Sequence, residues 1–98
     1  MRRNDIIRKL RSNADAVRSM GATSLYLFGS VARGDETASS DVDLFIDYDS
    51  SSRFSLIELV GIKQFLEERM AMEVDITTRD SLHPLLKNDI ESTAYRVF

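Results

Sequence analysis

The 98-residue chain contains no cysteine, one histidine, one proline and four glycines. Without cysteine there is neither a disulfide nor a thiolate metal site, so nothing points to an oxidising compartment. His83, beside Pro84, has no second histidine or cysteine with which to complete a zinc set, and it reads as structural. So little glycine and proline leaves no room for a long disordered linker, and the length suits one small domain over residues 1–98. No stretch approaches the roughly 20 apolar residues of a membrane span. The start, MRRNDIIRKL, is basic but lacks the apolar run and cleavage site of a secretory leader. A cytoplasmic domain is expected.

What is present is ordinary in amount and uneven in placement. The hydrophobic content of 43% and charged content of 30% suit a globular chain. The net charge of −3 hides an asymmetry: residues 1–20 carry six basic side chains against Asp5 and Asp15. The remainder carries seven basic against fourteen acidic. A basic first helix can meet phosphates or an acidic partner, although a solvated helix face is the commoner outcome.

Residues 4–20 place Ile6, Ile7, Leu10, Ala14, Val17 and Met20 at helical spacing, with Gly21 as the stop. "TSLYLFG" is a buried strand ending at Gly29, and "SVARGDETASS" reads as a helical turn followed by a loop. "DVDLFIDYD" alternates with the period of a strand. Residues 54–70 form the strongest helix, with Ser52 as a candidate cap and a stripe of Leu56, Leu59, Ile62, Leu66 and Met70. Ile57 and Val60 exceed what a thin sheet needs and could face a partner. "MEVDITT" is a third strand, and residues 80–92 hold a short helix capped by Asp80 or Ser81. "AYRVF" is either a last strand or a tail. The expected fold is α/β, a small mixed sheet with helices packed on it.

The chemistry lies in "LFGSVARGDETASSDVDLFID", residues 27–47. Residues two apart on a strand share a face, so Asp41 and Asp43 present their carboxylates together. Asp75 is the one acid inside the third strand's apolar core, and it joins them if the two strands are neighbours. Carboxylates about 4 Å apart repel by about 4 kcal/mol at an effective dielectric near 20, so gathered acids need protons or a cation. Mg²⁺ fits, because it takes hard oxygen ligands and shares its shell with phosphates. A strand that ends in Gly29-Ser30 and opens a helix makes an anion site, which Arg33 can reach one turn later. Phosphates at Gly29-Ser30 and metal at Asp41 and Asp43 together point to phosphoryl or nucleotidyl transfer. An EF-hand starting at Asp41 fails, because Phe45 and Ile46 fall on a ligand position and on the required glycine. Asp47 and Asp49 read as loop-end acids, and Tyr26, Tyr48 and Tyr95 as core or surface residues.

With these residues in view, "GSVARGDETASSDVDL" resembles the signature of the DNA polymerase β-like nucleotidyltransferase superfamily. In length, and in its Arg-Gly after the Gly-Ser, the chain is most similar to the minimal nucleotidyltransferase group. Many members of that group are antitoxins paired with a HEPN-domain toxin. The resemblance implies ATP as co-substrate, its phosphates at Gly29 and Ser30, and two Mg²⁺ ions bridged by Asp41 and Asp43. It makes Asp75 the third carboxylate, on the side of the attacking hydroxyl. It also implies transfer of AMP to a tyrosine of a HEPN toxin, in an assembly with that partner or with further copies of the chain. No direct nucleic-acid or membrane role is expected. A non-catalytic module that masks its partner is the alternative, and an enzyme acting on small molecules is a third.

Overall fold

The computed structural model describes residues 2–35 and 41–98. The helical spacing of residues 4–20 yields two helices rather than one: α1, Arg3–Ser12, and α2, Ala14–Ser19. The break falls at Asn13, whose Nδ2 donates to the Lys9 carbonyl at 2.8 Å while Ser12 Oγ donates to the same carbonyl at 2.7 Å. Short polar side chains that bond the backbone locally compete with the helical ladder, and here they close α1 early.

After Gly21 the chain forms β1 (Ala22–Phe28), then α3 (Gly29–Arg33), the helical turn expected there. Residues 36–40 of the expected loop lie outside the described residues. Next come β2 (Val42–Tyr48), α4 (Leu56–Met70), β3 (Val74–Thr78), a 3₁₀ turn (Arg79–Ser81), α5 (Lys87–Thr93) and β4 (Tyr95–Arg96). The four strands make one mixed sheet in the order β3-β2-β1-β4. β1 is antiparallel to β2 and β4, whereas β2 and β3 are parallel with α4 as the crossover. The α/β architecture is therefore the expected one, and AYRVF resolves as a strand.

Two caps differ from expectation. Ser55, not Ser52, caps α4: its Oγ accepts from Ile57 N–H at 3.2 Å, and Glu58 accepts from Ser55 N–H at 2.9 Å. This reciprocal box satisfies two helix-end donors, while Ser52 Oγ turns away to donate to the Asp49 carbonyl at 2.6 Å. Neither Asp80 nor Ser81 caps α5, which starts at Lys87 with Leu86 at its N-cap and no side-chain cap bond. Pro84 lacks an N–H and disfavours helix at His83, so a helix cannot run on from Ser81. His83 stays structural, its Nδ1 accepting from Leu85 N–H at 3.2 Å.

One face of the sheet carries the core. Leu25 and Leu27 of β1, Val42, Leu44 and Ile46 of β2 and Val74 of β3 meet Ile6 and Leu10 of α1, Val17 of α2 and Ile62, Leu66 and Met70 of α4. Burying each large apolar side chain stabilises the fold by about 1.5–3 kcal/mol. Leu56, Ile57 and Val60, on the first turns of α4, remain exposed. Among the described residues, no helix is long and apolar enough to cross a membrane.

The opposite face carries an aromatic layer that the sequence pattern did not reveal. Tyr26 stacks on Phe45 with ring centroids 4.7 Å apart, and Phe28 lies against the same ring. The Arg79 guanidinium covers both, 4.8 Å from the Tyr26 centroid and 5.0 Å from that of Phe45. It donates to the two oxygens of Asp47 at 2.7 and 3.0 Å and to Glu91 at 2.6 Å. Asp47 is thus a structural anion rather than a loop-end acid, whereas Asp49 does sit in a turn, accepting from Ser51 N–H at 2.9 Å. Arg79 joins β2, the 3₁₀ turn and α5. Arg79→Met removes the cation above two rings and leaves two carboxylates unpaired, so urea denaturation is expected to show a loss of about 1–3 kcal/mol. An unchanged midpoint would mean that the clamp contributes nothing net.

Candidate active site

Where β1 ends, the backbone turns at Gly29 with φ of 75° and enters α3. That φ suits glycine, since a Cβ makes the left-handed region costly. Space imposes the same choice, because a Cβ on Gly29 would collide with the Asp43 carboxylate. The proximity follows from the sheet register, which sets Phe28 opposite Asp43 in the β1–β2 pair. The Gly-Ser turn and the Asp-x-Asp segment thus meet at one point, although many residues separate them along the chain.

The parallel pair adds the third acid. β2 and β3 are neighbours, and Asp43 is in register with Asp75. Registered residues of adjacent strands share a face, so the two carboxylates rise on the same side of the sheet. Asp41 stands exposed just ahead of β2, and Asp75 is exposed on the edge strand, while Asp43 is half-buried between them. Burial foremost, then the charges of Asp75 and Asp41, push the Asp43 carboxyl above the usual carboxylate range. Arg33 pulls in the other direction, so its charge reaches the group. Its own ion pair is with Asp35, Nε to Oδ2 at 3.3 Å, and both side chains are exposed. Ser30 is the second residue of α3, and its carbonyl accepts from Asp35 N–H at 2.9 Å, closing the turn that carries Arg33.

Of the six residues expected in the site, Gly29, Asp43 and Asp75 are brought side by side. Asp41 and Arg33 border Asp43 closely enough to shift its titration in opposite senses. Asp41, Asp43 and Asp75 are the groups that could hold a divalent cation. Among the described residues, no three acidic or histidine side chains close into a ready-made metal cage.

Sequence reasoning missed two further side chains. A depression at the start of β3 is lined by Asp41, Lys63, Glu67, Glu73, Val74 and Asp75. Lys63 and Glu67 come from α4, paired at 2.9 Å across one helical turn. Their spacing of four was legible as a helix pair, but not the fact that α4 delivers them beside Asp75.

Comparison with known proteins bears on this arrangement. The model of the family described as "Nucleotidyltransferase domain" matches residues 7–96. The chain is 39% identical over 77 residues to a provisionally named protein adenylyltransferase of Methanocaldococcus jannaschii, covering 79% of this chain and 81% of that protein. A solved structure of a provisionally named minimal nucleotidyltransferase superposes with a TM-score of 0.73 at 31% identity, covering 91% of this chain and 93% of that one. The fold also matches a chain from the complex of a tri-AMPylated Shewanella oneidensis HEPN toxin with an MNT antitoxin. That likeness has a TM-score of 0.64 at 16% identity, covering 90% of this chain and 68% of that one, and it speaks to the fold alone.

Proposed function

Because the chain belongs to the nucleotidyltransferase domain family and is a nucleotidyltransferase, we propose that it transfers AMP from ATP to a hydroxyl of a partner HEPN toxin, acting as its antitoxin. The acceptor in this reading is a tyrosine, and residues 1–98 act as one domain. A single observation carries the assignment: Gly29 is pressed against Asp43, and Asp43 is in register with Asp75. A turn suited to phosphates and a set of carboxylates suited to a cation therefore adjoin.

In this reading Gly29 and the first turn of α3 receive the β- and γ-phosphates. Helix-opening N–H groups have no ladder partner within the helix, and glycine permits close approach. The Ser30 hydroxyl adds a hydrogen bond, and Arg33 exchanges Asp35 for a phosphate oxygen. Asp41, Asp43 and Asp75 would hold Mg²⁺, which supplies charge to the phosphates and acidifies the acceptor hydroxyl. The carboxylates need not close a cage of their own, because Mg²⁺ is commonly held by one or two of them and completed by substrate phosphates. The raised Asp43 carboxyl fits this reading, since two acids crowd a half-buried third that a cation would relieve. The acceptor oxygen forms a bond to the α-phosphorus and the bridging oxygen leaves as pyrophosphate. In this reading Asp75, on the edge strand of the sheet, takes the hydroxyl proton.

The partner is part of the proposal. Orienting an acceptor accounts for about 7–11 kcal/mol of such a barrier when fully achieved, and a domain this small has little surface left to grip one. A bound partner presenting its own tyrosine supplies that orientation. The exposed Leu56, Ile57 and Val60 of α4 and the exposed Arg8 and Arg11 of α1 are the surfaces offered for it. Incubation with labelled ATP and Mg²⁺ is expected to label a partner tyrosine, with little label when the chain is alone and none with Asp41→Ala. Tight binding and full neutralisation without label would establish the masking module instead.

A further inference from the structure

α4 and β3 are joined by only three residues, 71–73, and β3 lies at the edge of the sheet. An edge strand leaves part of its N–H row without a ladder partner. At Val74, the first residue of β3, a side chain fills that vacancy: Glu67 Oε2 accepts the Val74 N–H at 3.1 Å. The same oxygen accepts from Lys63 Nζ at 2.9 Å, which holds the carboxylate from the preceding turn of α4. The backbone of Glu67 is engaged as well, its carbonyl accepting from Ala71 N–H at 2.9 Å. Glu67 therefore grips both ends of the link, while β2 grips it from the far side through Val42 N–H donating to the Glu73 carbonyl at 3.1 Å. These two bonds hold opposite sides of one peptide unit, Glu73–Val74, a single residue before Asp75.

We propose that Glu67, held by Lys63, is a positioning residue that sets Asp75 against Asp43. The inference rests on the reading of Asp75 as part of the nucleotidyl-transfer site. Asp75 is exposed on an edge strand, so its position depends on where β3 starts rather than on packing around its own side chain. The Glu67 carboxyl lies below the usual range, through its bonds from Lys63 first and Val74 second, so it serves as an ionised acceptor at neutral pH. The role is one of reach: the acceptor must span from the last turns of α4 to the Val74 amide.

Reach and charge are separable by substitution. Glu67→Ala removes both, Glu67→Asp keeps the charge but is one methylene short, and Glu67→Gln keeps an acceptor at full length. AMP transfer to the partner and amide hydrogen exchange at Val74 are measured for each. Glu67→Ala and Glu67→Asp are expected to lower kcat by roughly 10- to 100-fold, the scale of a misplacement near 1 Å. The KM for ATP is expected to change by no more than about twofold, since only the reacting side is displaced. Exchange at Val74 speeds up in both, and Glu67→Gln recovers most of the rate and of the protection. Glu67→Asp retains the helical charge, so it carries the test even if Glu67→Ala folds poorly. Faster exchange with an undiminished kcat would overturn the positioning role, as would a Glu67→Gln that regains protection but not rate. Absence of transfer in the unsubstituted protein would instead overturn the site reading on which the inference rests.

Discussion

Asp43→Asn loses AMP transfer by a factor of about 10³ or more, the scale on which electrostatic and metal-binding groups act, and yields a protein slightly more stable than the parent at neutral pH. The two outcomes have one cause. Asp43 is half-buried and faces Asp75 and Asp41, so its ionised form is penalised in the folded state. An asparagine of the same shape removes the penalty, and with it the anion that a cation would need. The pH dependence follows from the raised carboxyl. Below the usual carboxylate value both folded and unfolded chains hold the proton, and the variant has no advantage. As pH rises from that value to the higher folded one, the unfolded chain ionises first, the parent loses stability, and the variant's advantage grows. Above the folded value the difference is constant. Thermal melts of both proteins across pH 3–8, an experimental window of about five units, measure this. Adding Mg²⁺ with a non-hydrolysable ATP analogue should reverse the order, since a ligand at 100 times its Kd stabilises by about 2.7 kcal/mol. A variant that transfers AMP at the parental rate would remove Asp43 from the site.

Gly29→Ala is expected to damage both fold and activity. A left-handed φ costs an alanine about 1–2 kcal/mol, and relieving the collision with Asp43 adds about 1–3 kcal/mol. Urea denaturation should therefore show a loss of roughly 2–5 kcal/mol. Transfer should fall by about 100-fold or more at temperatures where the variant is fully folded, because Asp43 must swing out of place. Gly34→Ala separates the two effects. Gly34 also has a left-handed φ, 78°, but a Cβ there meets nothing within 4 Å among the described residues. It should show the backbone cost alone, about 1–2 kcal/mol, and retain most of the transfer. Equal losses of activity at the two glycines would mean that backbone strain, rather than the contact with Asp43, sets the importance of Gly29.

How far the site could be read in advance depends on the range over which its causes act. The turn at Gly29-Ser30 is local, set by glycine's freedom, and was legible; so was the nearness of Asp41 to Asp43, whose titration it shifts, although Asp41 stands just ahead of β2 rather than on it. So was most of α4: Ile62, Leu66 and Met70 of its stripe are buried and Leu59 packs against the core as the spacing requires, whereas Leu56, on the first turn, is exposed. Asp75 could be offered only on condition that its strand neighbours β2, because strand order is a property of the whole sheet. Arg79 and Glu67 carried no signal as isolated charges. Each acts on a backbone or ring that comes near only after folding, Arg79 on Tyr26 and Phe45, Glu67 on Val74. The misplaced boundaries have a local origin that is hard to weigh from spacing alone. At Asn13 two polar side chains donate to one carbonyl, and before α4 two serines are both plausible caps but bond different backbone groups, so spacing alone does not fix the boundary.

The register of Asp43 with Asp75 limits how this chain can vary in length. Side chains on a strand alternate, so deleting one residue within the short link 71–73 would pull β3 by one position and turn Asp75 towards the core, bringing Ile76 to the open face. Two residues would restore the face but carry Asp75 nearly 7 Å along the sheet, at about 3.3 Å of rise each. The connection from β2 to α4, residues 49–55, bears no such constraint, since α4 can be approached from any loop long enough to reach Ser55. Length changes in this architecture are therefore tolerated at one end of the crossover helix and blocked at the other.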